Sequence, residues 1–225
     1  MDFTKYTDKT TQIRTYKKGS TILYQGEVPR HAFIIATGQV KVYSISTSGS
    51  EQVVTFHMNG EFFPSSWIFE KSPSSLFFYE AITDCKIVLF DRSQLIKNIF
   101  SSEAGVQEIT DYLSTNFTAS LLRINGLQQS TAREKIIYSI YYLCQRYRYS
   151  DKTPGKIIDI PIKLTHQQIA AFVGLTRETT AMEISKLKKQ SVLKYQAGLY
   201  RVDVVKLLEI IGEDSFKELK ITDQA

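Results

Sequence analysis

The stretch Leu164-Thr165-His166-Gln167-Gln168-Ile169-Ala170-Ala171-Phe172-Val173-Gly174-Leu175-Thr176-Arg177-Glu178-Thr179-Thr180 reads as two short helices joined at a glycine. Thr165 is suited to cap the first helix, and Gln168 three residues on completes a Thr-x-x-Gln capping box. Ile169, Ala170 and Val173 then form an apolar face at helical spacing. Gly174 supplies a permissive turn that a β-carbon would obstruct. Thr176 is a good N-cap for a second helix carrying Arg177, Glu178 and Thr179 in its first turn. A helix-turn-helix presents its reading side chains to the major groove at that place. The order cap, small residues, glycine, cap and Arg-Glu-Thr favours DNA reading over an unspecialised helical hairpin.

Charge points to the same end of the chain. Residues 1–132 carry 12 basic and 12 acidic side chains, so the formal net charge of +5 lies entirely beyond them. Residues 133–206 alone hold 14 basic against 6 acidic side chains. Basic charge confined to the segment with the helix-turn-helix is the footprint expected of phosphate binding. Lys186, Lys188, Lys189 and Lys194 follow the second helix and are placed to flank a groove, although any one of them also fits a solvated helix face.

A chain of 225 residues with 43% hydrophobic content suits two small domains, each with its own core. No apolar run approaches the roughly twenty residues of a membrane span, so no membrane partner is expected. The start Met1-Asp2-Phe3-Thr4-Lys5 does not read as a signal peptide. The two cysteines, Cys85 and Cys144, lie far apart, read as core residues and suit a reducing cytoplasm.

The first half is β-rich. Gly19, Gly26, Gly38, Gly49 and Gly60 punctuate short runs such as Thr21-Ile22-Leu23-Tyr24, Phe33-Ile34-Ile35, Gln52-Val53-Val54-Thr55-Phe56 and Cys85-Lys86-Ile87-Val88-Leu89-Phe90. Val40-Lys41-Val42-Tyr43 alternates apolar and polar in the manner of a half-buried strand. Evenly spaced strands with glycine turns predict a small barrel or double-sheet jelly roll over 1–103. From 104 the period changes: Ile109, Leu113, Phe117, Leu121 and Ile124 recur at three- and four-residue intervals, which predicts a long helix. Tyr112, Asn116 and Ser120 broaden its apolar sector, as in a helix that faces both its own barrel and a partner helix.

Leu127-Gln128-Gln129-Ser130 reads as a hinge, so the long helix and hinge occupy 104–129 and the last domain 130–225. Thr131-Ala132-Arg133-Glu134 is a second capping box, opening a helix through about Tyr147. The helical spacing of Tyr138, Tyr141, Tyr142 and Tyr147 favours core packing over base stacking. Ser150-Asp151-Lys152-Thr153-Pro154-Gly155 is an exposed loop by composition. Val192-Leu193-Lys194-Tyr195 and Leu199-Tyr200-Arg201-Val202 flank Gln196-Ala197-Gly198 as a hairpin, which makes the helix-turn-helix winged. The fold class is therefore α+β.

The order barrel, long helix, hinge and winged helix-turn-helix resembles the cyclic-AMP receptor protein (CRP/FNR) superfamily of bacterial regulators over about 16–205. The resemblance is most specific at Ser20-Thr21-Ile22-Leu23-Tyr24-Gln25-Gly26-Glu27, Gly38-Gln39-Val40, Gly60-Glu61-Phe62 and Gly174-Leu175-Thr176-Arg177-Glu178-Thr179. It implies a homodimer joined along the long helices, a roughly palindromic double-stranded operator, and RNA polymerase as a partner. It also implies that Arg177 and Glu178 read bases, with Thr165, Gln167 and Thr179 near phosphates; His166, Thr176 and Met182 complete the expected contact surface. The chemistry agrees, because arginine suits the guanine acceptors and glutamate accepts from the cytosine amino group. Met182 stands where the family often has a second arginine, and methionine offers only apolar contact to a thymine methyl.

The effector region departs further from the family. A cyclic-nucleotide member needs a glycine-glutamate pair soon after Gly-x-Phe, and an Arg-Ser or Arg-Thr some ten residues later. Here Pro64 and Ser65 occupy the first place and Ser74-Ser75-Leu76 the second, with Thr118 on the long helix matching a base-contacting position. Without the arginine a buried phosphate lacks its counter-charge. Cyclic AMP is therefore not the expected ligand, and the aromatic surroundings (Phe62, Phe63, Pro64, Trp67, Phe69, Phe77 and Phe78) suggest a collapsed pocket or a neutral apolar ligand. Two cysteines are too few for an iron–sulfur cluster. His31 and His57 read as ordinary surface or strand histidines rather than haem ligands, so no cofactor and no metal is expected.

Two classes of function stay open: a DNA-binding regulator, or a module in which the barrel binds a ligand or docks a protein and the DNA domain is incidental. The reading helix and the basic domain favour the first. No spacing supplies the converging nucleophile and base of an enzyme.

Overall fold

A computed structural model describes residues 2–6, 11–147 and 157–212 and divides the chain into two units, Met1–Tyr112 and Leu113–Ala225. The loop read at Ser150-Asp151-Lys152-Thr153-Pro154-Gly155 lies outside the described residues. In the first unit, β1 (Gln12–Tyr16), β8 (Cys85–Phe90), β3 (Ala32–Thr37) and β6 (Phe62–Phe63) form one four-stranded sheet, in the order β1-β8-β3-β6. The strands β2 (Thr21–Leu23), β7 (Phe78–Ala81), β4 (Val40–Ile45) and β5 (Glu51–His57) form the other, in the order β2-β7-β4-β5. Every pairing is antiparallel. The unit is a double-sheet jelly roll, not a closed barrel.

Successive residues of the inner strands enter opposite cores, because the side-chain period of a strand is two. Ile35, Phe63 and Ile87 pack in the core that includes Val40, Val42 and Tyr79. Ile34, Phe62 and Val88, one residue away in each case, pack with Phe3, Trp67, Leu95 and Ile99. Strands buried on both faces read as continuous apolar runs, which is why Phe33-Ile34-Ile35 shows no alternation. Leu95 and Ile99 come from α2 (Arg92–Phe100), whose N-cap Asp91 accepts from the Gln94 amide. The β3–β4 turn needs glycine: Gly38 has φ 108°, and a β-carbon there would lie 2.5 Å from Cys85 Sγ.

Lys41 corrects the half-buried reading of β4. Its side chain is buried, with Nζ 2.8 Å from Glu51 and 3.2 Å from Glu80, and 4.4 Å from the Tyr43 ring centroid. Two carboxylates and an aromatic face, all from this one sheet, supply the compensation that a buried ammonium requires.

A long helix, α3 (Glu103–Gln128), begins in the first unit and ends in the second. Its apolar sector is split rather than continuous. Ile109 and Tyr112 belong to the core of Phe3, Phe62 and Leu95, the side expected to face the helix's own barrel. Leu113, Phe117, Leu121 and Ile124 are exposed. The hinge is also shorter than expected, because Leu127 and Gln128 still belong to α3. Beyond the helix end, Gln129 Nε2 donates to Asn125 O at 3.2 Å and Asn125 Oδ1 at 3.1 Å. Gly126 allows α4 (Ala132–Arg146) a close approach, since a β-carbon there would lie 3.0 Å from Tyr138 Cβ.

Thr131 and Glu134 make the reciprocal capping box at the start of α4. Tyr141, Tyr142 and Tyr147 are buried, as core packing requires. Further along come β9 (Ile157–Asp159), α5 (His166–Val173), α6 (Arg177–Lys189), β10 (Leu193–Gln196), β11 (Leu199–Asp203) and α7 (Val204–Ile211). The hairpin β10–β11 gains β9 as a third antiparallel strand, in the order β10-β11-β9. Arg123 of α3 donates to Phe172 O at 2.6 Å, and its guanidinium carbon lies 3.4 Å from the Phe172 ring centroid. It thereby satisfies one of the last carbonyls of α5, which have no partner within their own helix.

Candidate nucleic-acid interface

The interface is built on two capped helices and a wing. Thr165 accepts from the Gln168 amide at 3.2 Å, while Gln168 Oε1 accepts from the Thr165 amide at 2.9 Å. This reciprocal box fixes where α5 starts. Ile169, Ala170, Phe172 and Val173 are the buried side of α5. Gly174 closes the helix in the left-handed region at φ 70°, ψ 38°, and its amide donates to Ala170 O. Thr176 then accepts from the Thr179 amide at 3.1 Å and donates its hydroxyl to Thr179 Oγ1 at 2.9 Å, which opens α6.

Thr180, Glu183, Ile184 and Leu187 are the buried side of α6. Arg177, Glu178 and Met182 are exposed. The side chains of Gln167, Arg177 and Glu178 make no hydrogen bond or ion pair among the described residues. Two adjacent helix starts therefore carry long polar side chains that the fold leaves unused. Thr165, Thr176 and Thr179 instead have their hydroxyls engaged in the caps, where they fix helix direction.

Lys188 Nζ lies 5.3 Å from the Tyr195 ring centroid and 5.4 Å from that of Tyr200, which joins the end of α6 to the wing. Arg201 forks onto both Asp159 oxygens, at 2.7 and 2.9 Å, and locks β11 to β9. Sequence reasoning missed Lys163, whose aliphatic chain crosses the wing turn so closely that a β-carbon on Gly198 would meet Cε at 3.3 Å. Its signal was the glycine itself. His166, on the first turn of α5, is half-buried. Burial pushes its pKa down, and the nearby Lys188 and Arg177 charges push it further.

Residues 134–210 match the Crp-like helix-turn-helix domain, and residues 13–102 match the cyclic nucleotide-binding domain. The chain belongs to the CRP/FNR superfamily of transcription regulators. It is 29% identical over 181 residues to the nitrogen fixation regulation protein FixK of Rhizobium meliloti, covering 80% of this chain and 77% of that one. It is 23% identical over 204 residues to the cyclic AMP receptor protein of Thermus thermophilus, covering 89% and 88%. The structure of FixK2 from Bradyrhizobium japonicum superposes with a TM-score of 0.69 at 21% identity, covering 88% of this chain and 95% of that one. As a CRP/FNR regulator the chain is a DNA-binding protein and not an enzyme.

In this CRP/FNR chain the residues expected from the resemblance at the effector positions are turned inward or left outside. Ser75 is buried; its hydroxyl donates to Phe77 O at 2.7 Å, and its backbone pairs with the loop at Gly26 and Glu27. Ser65 is exposed at the start of α1 (Ser65–Ile68), and Thr118 is half-buried on α3. Phe63 stacks between Phe33 at 5.2 Å and Tyr79 at 4.6 Å. Glu61, buried next to Phe62, accepts from the Met58 amide at 3.0 Å and pairs with His57 Nδ1 at 2.9 Å. Among the described residues no group of three or more His, Cys, Asp or Glu side chains could hold a metal ion, and no helix is long and apolar enough to cross a membrane.

Proposed function

We propose that this chain is a homodimeric, sequence-specific transcription regulator that binds its operator without cyclic AMP. The exposed, internally unpaired Arg177 and Glu178 at the capped start of α6 carry the reading. In it, Arg177 contacts the O6 and N7 acceptors of a guanine, Glu178 accepts from a cytosine amino group, and Met182 touches a thymine methyl. Thr165, His166, Gln167, Thr176 and Thr179 lie along the phosphates, with Lys188, Lys189 and Lys194 beside them. Two such heads on one dimer read a pseudo-palindromic site. Leu113, Phe117, Leu121 and Ile124, exposed at three- and four-residue spacing on α3, support pairing of two long helices. The family makes RNA polymerase the natural protein partner and the cytoplasm the natural compartment.

Independence from cyclic AMP rests on serine rather than arginine at 74 and 75, beside the packed core of Phe33, Phe63 and Tyr79. Operators selected from a random duplex pool test the reading. Arg177→Ala should lose about 1–3 kcal/mol on the selected site and relax preference at one guanine, while weak nonspecific binding survives. Unchanged selectivity in the variant overturns the assignment of α6.

A further inference from the structure

Arg123 lies where α3 turns from core to outer surface. Its neighbour Leu122 is fully buried, and its other neighbour Ile124 is exposed. The Arg123 guanidinium reaches α5, where Nη2 donates to Phe172 O at 2.6 Å and the central carbon lies 3.4 Å from the Phe172 ring centroid. The same carbon is 5.8 Å from the ring of Tyr142 on α4, and the two rings are 5.7 Å apart. Both aromatic residues are buried. One side chain thus joins α3, α4 and α5 at a single point within the second unit. That point is the end of the first reading helix. The amides of Gly174 and Leu175 both donate to Ala170 O, and Arg123 donates to Phe172 O. A cation at the negative end of a helix, bonded to a terminal carbonyl and set over an aromatic ring, holds that end in one direction.

The turn that follows leads directly to α6, which opens at Arg177, five residues after Phe172. On α3 itself, Leu121 and Ile124 belong to the exposed row that supports pairing of two long helices. In a symmetric dimer, the separation of the two reading heads follows from how each is held against its own long helix. We propose that Arg123 is a positioning residue for operator recognition: it clamps the end of α5 to the dimer helix and so sets the half-site spacing that the protein accepts. The inference rests on the homodimeric reading above. One base pair more or less moves the half-sites by about 3.4 Å and rotates them by about 35°. A clamped head cannot follow that change, whereas a loosened one can.

The test is fluorescence anisotropy at fixed salt on duplexes that carry the same two selected half-sites. The spacer is kept as selected or changed by one base pair in either direction, and a further duplex carries one half-site alone. Wild type should favour the selected spacing by at least about 10-fold over either neighbour. Arg123→Met keeps an unbranched chain over Phe172 but has neither donor nor charge. It should flatten the preference to about 2-fold, while affinity for the single half-site stays within about 2-fold of wild type. Arg123→Lys keeps a cation and a donor but not the planar fork, so it should recover part of the preference. It also carries the test if the methionine variant leaves Phe172 O unsatisfied and does not fold. A wild-type spacing profile in Arg123→Met, or in Arg123→Lys where methionine does not fold, overturns the proposal and leaves the dimer reading intact. So does a loss of single-half-site affinity as large as the loss on the full operator, which would make Arg123 a support of the fold alone. Wild type that binds one half-site as tightly as two overturns the proposal together with the dimer reading beneath it.

Discussion

The segment 60–67 of the jelly roll and the segment 164–180 of the helix-turn-helix use their polar groups in opposite ways. In the first, the Glu61 carboxylate is occupied by His57 and the Met58 amide, and Phe62 and Phe63 fill two separate cores. Ser75, expected at the second effector position, donates its hydroxyl to Phe77 O. In the segment 164–180 the cap groups of Thr165, Gln168, Thr176 and Thr179 are engaged internally, while the side chains of Gln167, Arg177 and Glu178 make no hydrogen bond or ion pair among the described residues. A polar group already bonded inside the fold must lose that bond before it can hold a ligand, so it contributes little net affinity. The contrast separates the proposed reading surface, whose long polar side chains have no internal hydrogen bond among the described residues, from a segment whose polar groups are absorbed into structure.

The largest effect expected from breaking this contrast is on stability. Phe63 is fully buried between Phe33 and Tyr79, so Phe63→Ala should destabilise the first unit by about 3–5 kcal/mol through lost transfer energy and a residual cavity. Trp67 is the sole tryptophan and lies in this unit, so urea unfolding followed by its fluorescence reads the change directly. A loss below about 1 kcal/mol would mean that the interior is loosely packed and open to a ligand.

A smaller effect belongs to α3, where the same helix is core at Ile109 and outer surface at Phe117. Phe117→Glu should leave the unfolding midpoint of isolated subunits nearly unchanged. It should weaken self-association by at least about 100-fold, since a carboxylate would be placed in an apolar seam. Analytical ultracentrifugation over a concentration series measures it. Wild type that stays monomeric at micromolar concentration would show that this face pairs with something other than its own copy.

The helix-turn-helix was legible because its signals are local. The capping boxes at Thr165 and Thr131, the left-handed Gly174 and the turn at Gln196-Ala197-Gly198 each involve residues within four positions of one another. What escaped the sequence depends on distant partners. Lys41 looks like a solvent-facing strand residue until Glu51 and Glu80 arrive from neighbouring strands. Ile109 and Leu113 share one period on α3, and periodicity does not tell which neighbour each will meet. The helix α2 differs, since Asp91 as N-cap with Leu95 and Ile99 four residues apart is a local start signal. The short strands β6 and β7 carry too few residues for a pattern, and their place is set by pairing with β3, β2 and β4.

The smallest expected effect is a null one. A cyclic nucleotide entering the jelly roll brings a phosphate monoanion out of water, and burial of an unpaired charge is prohibitive unless a cation meets it. Arginine is absent from Ser74 and Ser75, and the buried Lys41 is already held by Glu51 and Glu80, so freeing it would strand two carboxylates. The core beside it is closed by the stack of Phe63 on Phe33 and Tyr79. Calorimetric titration with cyclic AMP or cyclic GMP at millimolar concentration should therefore give no heat of binding, and operator affinity should not change when either is added. Phe63→Ala sharpens the point: the variant gains space but no cation, so it too should remain silent toward both nucleotides. A micromolar dissociation constant for wild type would show that a basic side chain reaches the interior and that the polar groups of this segment exchange their internal partners for a ligand.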